Sequence, residues 1–331
     1  MSVGADRDLR LADAWQRNFP LEQRPFARVG ASLGMSENEA LDALTNLSKR
    51  GILSRVGPVI RPNTVGASTL AAMAVPPADL ERVADRVSAE PGVNHNYERE
   101  HRINLWFVVT ASDKAAVAEV LSRIAETTGY PVLDLRLERS YHIDLGFAVT
   151  ARAEKVRSRD AQPGADRVDD EDRAILAQLC EGLPLAQRPF ELVAMHMGLT
   201  ERQLLGRIAS LIERGVISRF GCILKHRALG YQANAMVVWD VPDGAVDDVG
   251  ERLARRQEVT LCYRRTRRPP QWPYNLFVMI HGRQRETVLN QIEMLNREEN
   301  LSDLPSAVLF SRRCFKQRGA KYEGAAVAEV K

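Results

Sequence analysis

The chain has 331 residues, 45% of them hydrophobic and 27% charged, enough to bury the cores of two or more ordinary domains. No apolar run approaches the roughly 20 residues that span a membrane, the polar start MSVGADRDLR is no signal peptide, and the four cysteines (Cys180, Cys222, Cys262, Cys314) lack CxxC or metal-like spacing. A cytoplasmic, disulfide-free protein is expected. The net charge of +3 hides two basic groups, Arg264, Arg265, Arg267 and Arg268, and then Arg312, Arg313, Lys316 and Arg318. Such clusters suit a polyanionic partner, whether nucleic acid or a polycarboxylate.

Taken in order, the chain is one unit written twice. FPLEQRPF at 19–26 returns as LPLAQRPF at 183–190, and GILSRVG at 51–57 returns as GVISRFG at 215–221, both displaced by 164 positions. The displacement is 166 at Val93 and Val259 and 171 at Asn104 and Asn275, most of the gain being an insert around Pro269, Pro270 and Trp272.

The first part of each half predicts helices. Leu9 to Arg17 has apolar residues at helical spacing, and Pro25 suits the first turn of a second helix ending near Gly34. Ser36 with Glu39, and Thr200 with Gln203, read as capping boxes. The helices they open put Leu41, Leu44 and Leu47, or Leu205, Ile208 and Leu211, on one face. Gly51 and Gly215 stop them, and a short apolar strand follows. This is the pattern of a winged helix-turn-helix.

The second part reads β-α-β-β-α-β. Strands are expected near 69–75, 93–99, 103–110 and 132–143, with helices near 78–89 and 113–126. The second half repeats them at 232–241, 259–265, 274–281 and 305–315, with helices near 245–256 and 283–297. That order predicts a ferredoxin-like sandwich. The fold class is therefore α+β, a tandem duplication of a winged helix-turn-helix and a ferredoxin-like domain. The expected boundaries are 1–62 and 63–150 for the first half, a polar linker at 151–170, 171–226 and 227–320 for the second half, and a disordered tail at 321–331.

Chemistry concentrates at residues 93–106, VNHNYEREHRINLW. On an extended strand His95, Tyr97, Arg99 and His101 share a face, although a hairpin turn near 100–102 would break that register at His101. The second half repeats the Tyr and Arg as Tyr263 and Arg265 but has Leu261 where the first has His95, and Arg267 aligns loosely with His101. Imidazole titrates near neutral pH, and a guanidinium fork binds carboxylates bidentately. Arg99, Arg102, Arg264, Arg265, Arg267 and Arg268 are therefore candidate carboxylate clamps, on the argument that four arginines in five residues would repel one another without anions nearby. Tyr97 and Tyr263 are candidate hydrogen-bond donors, and Trp272 and Tyr274 candidate stacking surfaces. Trp106, at the start of an apolar strand, reads as core, and His142, His196, His226 and His281 read as structural or surface residues.

Winged helix followed by ferredoxin-like domain resembles the architecture of Lrp/AsnC regulators. The stretches VNHNYEREHRINLWFV, CYRRTRRPPQWPYNLFVMIHG and FSRRCFKQRG resemble more narrowly the sirohaem decarboxylases of the Ahb and Nir types, in their fused D-plus-L form. That resemblance implies a carbon–carbon lyase of haem d1 or alternative haem synthesis that removes the C12 and C18 acetate carboxyls of sirohaem to give 12,18-didecarboxysirohaem. It implies no added cofactor, the iron being carried by the substrate, and two halves paired as a pseudo-heterodimer, with a homodimer also allowed. Within it His95, His101, Tyr97 and Tyr263 become catalytic candidates, and either imidazole could instead be an axial ligand to the sirohaem iron. The first half is expected to lead the proton chemistry, with the opposite assignment, Tyr263 and the arginines of the second half as the catalytic set, left open.

Two rival readings fit the same pattern. A DNA-binding regulator would read DNA with helices beginning Glu37-Asn38-Glu39 and Glu201-Arg202-Gln203, whose acidic starts suit phosphates and base edges poorly. No DNA partner is expected, and the helical units read as scaffold. A tetrapyrrole sensor without turnover would use the same residues as the enzyme.

Overall fold

The computed structural model describes residues 3–143 and 168–319. The expected linker at 151–170 falls mostly outside these residues, and the expected tail at 321–331 wholly so.

The helical part of the first half holds α1 (Val3–Ala14), α2 (Pro25–Ala31), α3 (Glu37–Lys49) and strand β1 (Leu53–Ile60). Helix α1 ends at Ala14, three residues before the expected Arg17. Pro25 opens α2, and the Ser36–Glu39 capping box is formed in both directions. Gly51, at φ +69°, takes the left-handed conformation that ends α3 without Cβ strain. The second half repeats the unit with α6 (Asp170–Glu181), α7 (Pro189–His196), α8 (Glu201–Glu213) and β6 (Ile217–Leu224). In α8 the fully buried face is Leu204, Ile208 and Leu211, with the expected Leu205 only partly covered.

The expected wing is a single strand in each half, and its partner comes from the other half. Strands β1 and β6 pair antiparallel, with Gly57 opposite Gly221. These two glycines are the last letters of the repeated SRVG and SRFG. A Cβ on Gly57 would sit 2.8 Å from the carbonyl of Leu179 in α6, and one on Gly221 would sit 2.4 Å from that of Trp15 beyond α1. Each half's first helix thus lies against the other half's strand, and both helical units share one core.

The sandwich parts also merge. The first contains β2 (Ala67–Met73), α4 (Leu80–Ala89), β3 (Val93–Arg99), β4 (Leu105–Ala111), α5 (Lys114–Thr128) and β5 (Leu133–Ile143). The second contains β7 (Ala233–Trp239), α9 (Val246–Ala254), β8 (Val259–Arg265), β9 (Leu276–Gly282), α10 (Arg285–Glu298) and β10 (Ser306–Gln317). The eight strands close into one ring, ordered β10-β3-β4-β2-β5-β8-β9-β7. The long last strands close it. Leu133–Arg136 of β5 pairs at home with β2, and Leu137–Ile143 continues onto β8 of the other half. Likewise Ser306–Phe310 of β10 pairs with β7, and Ser311–Gln317 crosses to β3. The open edges of both sheets are thereby covered, which removes a template for aggregation. Between the sheets lies an apolar core that includes Trp106, Leu135, Trp272, Phe277 and Leu309.

Candidate functional site

A register shift between Val93 and His95 sets which side of β3 faces the opposite sheet. Asn96 points outward, donating to the Ala84 carbonyl and Ser88 Oγ of α4 at 3.0 Å each. His95, Tyr97 and Arg99 form the other row. The His95 and Tyr97 rings are stacked with centroids 6.1 Å apart, and His95 Nδ1 is 3.3 Å from the Tyr97 hydroxyl. Arg99 lies over the Tyr97 ring at 5.9 Å and reaches across, donating to the Leu309 carbonyl at 3.2 Å and approaching Met279 Sδ at 3.9 Å. It is 8% exposed, and its Nε has no hydrogen-bond partner.

Electrostatics make this row unusual. Burial lowers the Arg99 pKa to about 10, so the guanidinium stays charged at neutral pH. Among the described residues it forms no ion pair with a carboxylate. A buried charge without a counter-ion is costly. Burial, helped by the nearby Arg55 charge, pushes His95 down to about 4, which leaves the imidazole neutral. Burial also raises the Tyr97 phenol well above its usual range, with Cys314, its register partner on β10, in hydrogen-bonding contact.

His101 does not join this row. Strand β3 stops at Arg99, and the His101 Nδ1 accepts the Ile103 amide at 3.0 Å. Its ring meets the edge of Trp272 at 5.4 Å, and burial lowers its pKa. Arg99 and His101 both line a cavity of about 330 Å³ with Glu98, Glu100, Asn104 and Arg312.

The second half repeats part of the pattern. Arg265 donates to the Leu135 carbonyl at 3.0 Å, where Arg99 uses Leu309, and lies over the Tyr263 ring at 5.1 Å. Burial lowers Arg265 to about 10 and raises Tyr263 to about 12. Leu261 fills the place of His95, and Ser140 pairs with Tyr263 where Cys314 pairs with Tyr97.

The other expected arginines prove different. Arg264 pairs with Glu138 at 2.9 Å and lies 3.5 Å from Asp243. Arg267 pairs with Asp240 at 2.8 Å and Asp243 at 2.5 Å, and Arg268 lies 3.9 Å from Asp134. The cluster thus has its anions built in, and the repulsion argument for an external anion there does not hold. Arg102 is exposed beyond the end of β3. Trp272, expected as a stacking surface, is fully buried and meets Trp106 and Tyr274 edge-on at 4.9 Å each. Its indole plugs the interior between the sheets, while Pro269, Pro270 and Gln271 before it are exposed. Half-buried Tyr274 packs against that plug.

Three neighbours of the row escaped the sequence reading. Cys314 sits across from Tyr97, and Arg55 of β1 and Arg227, in a helical turn at His226–Leu229, come from the helical units. The available signal was asymmetry: Arg227 stands where the first half has Asn63, and Cys314 where it has Ser140. The starts of α3 and α8 are occupied internally, Glu37 with Arg24 and Glu201 with Arg188 at 2.8 Å.

Paired helix-turn-helix units and paired AsnC-like domains define the class. The AsnC-like ligand binding domain model matches residues 65–142 and 228–316, and the siroheme decarboxylase NirDL-like HTH domain model matches 8–53 and 172–217. The chain is 45% identical over 315 residues to the siroheme decarboxylase NirDL subunit of Paracoccus denitrificans, covering 95% of this chain and 97% of that one. A crystal structure of the siroheme decarboxylase NirDL superimposes with TM-score 0.71 at 31% identity, covering 97% of this chain and 94% of that one. A second, in co-complex with an iron-uroporphyrin III analogue, gives TM-score 0.68 at 31% identity over 96% and 94%. The chain belongs to the sirohaem decarboxylase family, in its fused two-half form. Among the described residues no helix is long and apolar enough to cross a membrane.

Proposed function

We propose that this protein is a cytoplasmic carbon–carbon lyase that removes the C12 and C18 acetate carboxyls of sirohaem, giving 12,18-didecarboxysirohaem for haem d1 synthesis. The observation that carries this reading is the row on β3, a buried guanidinium that pairs with no carboxylate among the described residues, beside a stacked imidazole and phenol. Full-length similarity to named siroheme decarboxylases supports it.

In each turnover the bond between the acetate methylene and its carboxylate breaks. CO₂ leaves, the electron pair stays on the methylene carbon in conjugation with the macrocycle, and one proton completes a methyl group. No electrons are gained or lost overall, so no redox cofactor is required beyond the iron that the substrate carries. Arg99 orients a carboxylate. His95 is neutral in the free protein, but substrate carboxylates beside it favour the imidazolium and turn it into a proton donor, with Tyr97 holding its ring. Tyr263 and Arg265 complete the cleft from the second half. His101, beyond the end of the row, borders the same cavity as Arg99. Pairing of the halves within one chain supplies the pseudo-heterodimer, so a second copy is not required.

Anaerobic incubation with sirohaem and mass analysis of the tetrapyrrole tests this: loss of two CO₂ units is expected, and unchanged, bound sirohaem would make the protein a sensor instead. If His95→Ala abolishes an iron-ligand optical signature while proton transfer continues, His95 is an iron ligand and Tyr97 the donor.

A further inference from the structure

We infer that the helix-turn-helix units are part of the substrate site, each supplying one guanidinium, Arg55 and Arg227, that positions the carboxylate rim of the tetrapyrrole against β3. The inference rests on the proposed reaction and extends it to two elements so far treated as scaffold.

Arg227 leaves the second helical unit and lies across β10, its Nη2 3.4 Å from the Ser311 carbonyl and 3.3 Å from that of Arg312. Ser311 is the register partner of Arg99, and Cys314, three residues on, is that of Tyr97. Arg227 therefore lies on the strand that flanks the row, level with Arg99. Its contacts are backbone carbonyls, and among the described residues no carboxylate pairs with it. The neighbouring Arg312 is balanced by Glu98 and Glu100 at 3.7 Å each, so the charge of Arg227 remains available. Its twin Asn63 takes a left-handed turn at φ +63° and accepts the Ser68 amide at 2.9 Å, so the first half presents no cation there.

Arg55 serves the other end of the row. Gln317 is the register partner of His95, and a Cβ built on Gly319, two residues further, would lie 3.7 Å from Arg55 Nη2. The side chain is half-buried, donates to the Pro58 carbonyl at 3.3 Å, and leaves its Nε without a partner. A polycarboxylate bound along His95, Tyr97 and Arg99 would meet a cation from a helical unit at each end. Guanidinium suits this, since its fork takes both oxygens of a carboxylate.

The test is steady-state decarboxylation of sirohaem, with optical titration of sirohaem binding, by the full-length protein and its Arg227→Gln, Arg227→Lys, Arg55→Gln and Arg55→Lys variants. Each Gln variant is expected to raise KM and Kd about 10- to 100-fold, the range for losing a hydrogen bond to a charged group. Arg227→Gln should leave kcat within about twofold, as losing uniform binding does, and the Lys variants should recover part of the loss. A wild-type enzyme that turns over while both Gln variants keep its KM and Kd overturns the inference alone. Wild-type protein that binds sirohaem without releasing CO₂ overturns the proposed reaction, and the Kd values then decide the inference. Should Arg55→Gln fail to fold, the exposed Arg227 decides it by itself.

Discussion

Strands β3 and β8 began as copies and now differ at one decisive position. Both place a tyrosine and an arginine over the interior, Arg99 buried and Arg265 partly so, neither paired with a carboxylate among the described residues, and both arginines donate to the equivalent carbonyl, Leu309 or Leu135. Only β3 adds an imidazole, and only β3 has Arg227 and Arg55 at its ends. The duplication thus kept the tyrosine–arginine pair twice and the imidazole once. The same comparison shows how an arginine cluster can mislead: in the second half, Arg264, Arg267 and Arg268 answer Glu138, Asp240, Asp243 and Asp134, and only Arg265 escapes pairing.

The sharpest way to break this asymmetry is to remove the imidazole. His95→Ala is expected to lower kcat by about 10²- to 10⁴-fold, the range of general acid catalysis; single-turnover CO₂ release measures it, and full turnover would return the proton chemistry to the second half. The insert peculiar to the second half is expected to act through stability. Trp272→Ala should cost about 3–5 kcal/mol in a denaturant melt, since it empties a fully buried site, and a native melt would mean the tryptophan is not part of the core.

Next come the twin arginines. Arg99→Gln should reduce kcat/KM about 10- to 100-fold by removing a charge-assisted carboxylate contact. Arg265→Gln should lose less, and equal losses would show two equivalent sites. The smallest effect lies in pH. His95 has its folded pKa near 4, below the ordinary 6.5. Between those values the unfolded chain binds a proton that the folded chain does not, so stability falls as pH drops through that window and is complete above it. Melting of the ligand-free protein from pH 4 to 7 should show this slope, and His95→Gln should flatten it; Leu261, its counterpart, contributes none.

Much of this is legible in the sequence. The SRVG and SRFG repeat, the two capping boxes and the β-α-β-β-α-β spacing are local signals, and local hydrogen bonding makes them legible. Legibility stopped where partners come from far away in the chain. Asp240 and Asp243 lie more than twenty residues before Arg267, so its neutralisation could not be read from spacing. Alternation left two outcomes for His101, in the row on an unbroken strand or out of it at a turn near 100–102, and the strand ends at Arg99.

By itself the sequence determined the elements, the duplication and the identity of the row on β3, because side-chain alternation along a strand depends only on neighbours. Tertiary structure alone decided the rest. It carried β5 and β10 across to the other half, since each sheet had an open edge to cover, and that crossing set Cys314 against Tyr97 and Ser311 under Arg227. It also chose which arginines stay unpaired, because a guanidinium's counter-ion is fixed by folding in space and not by order along the chain.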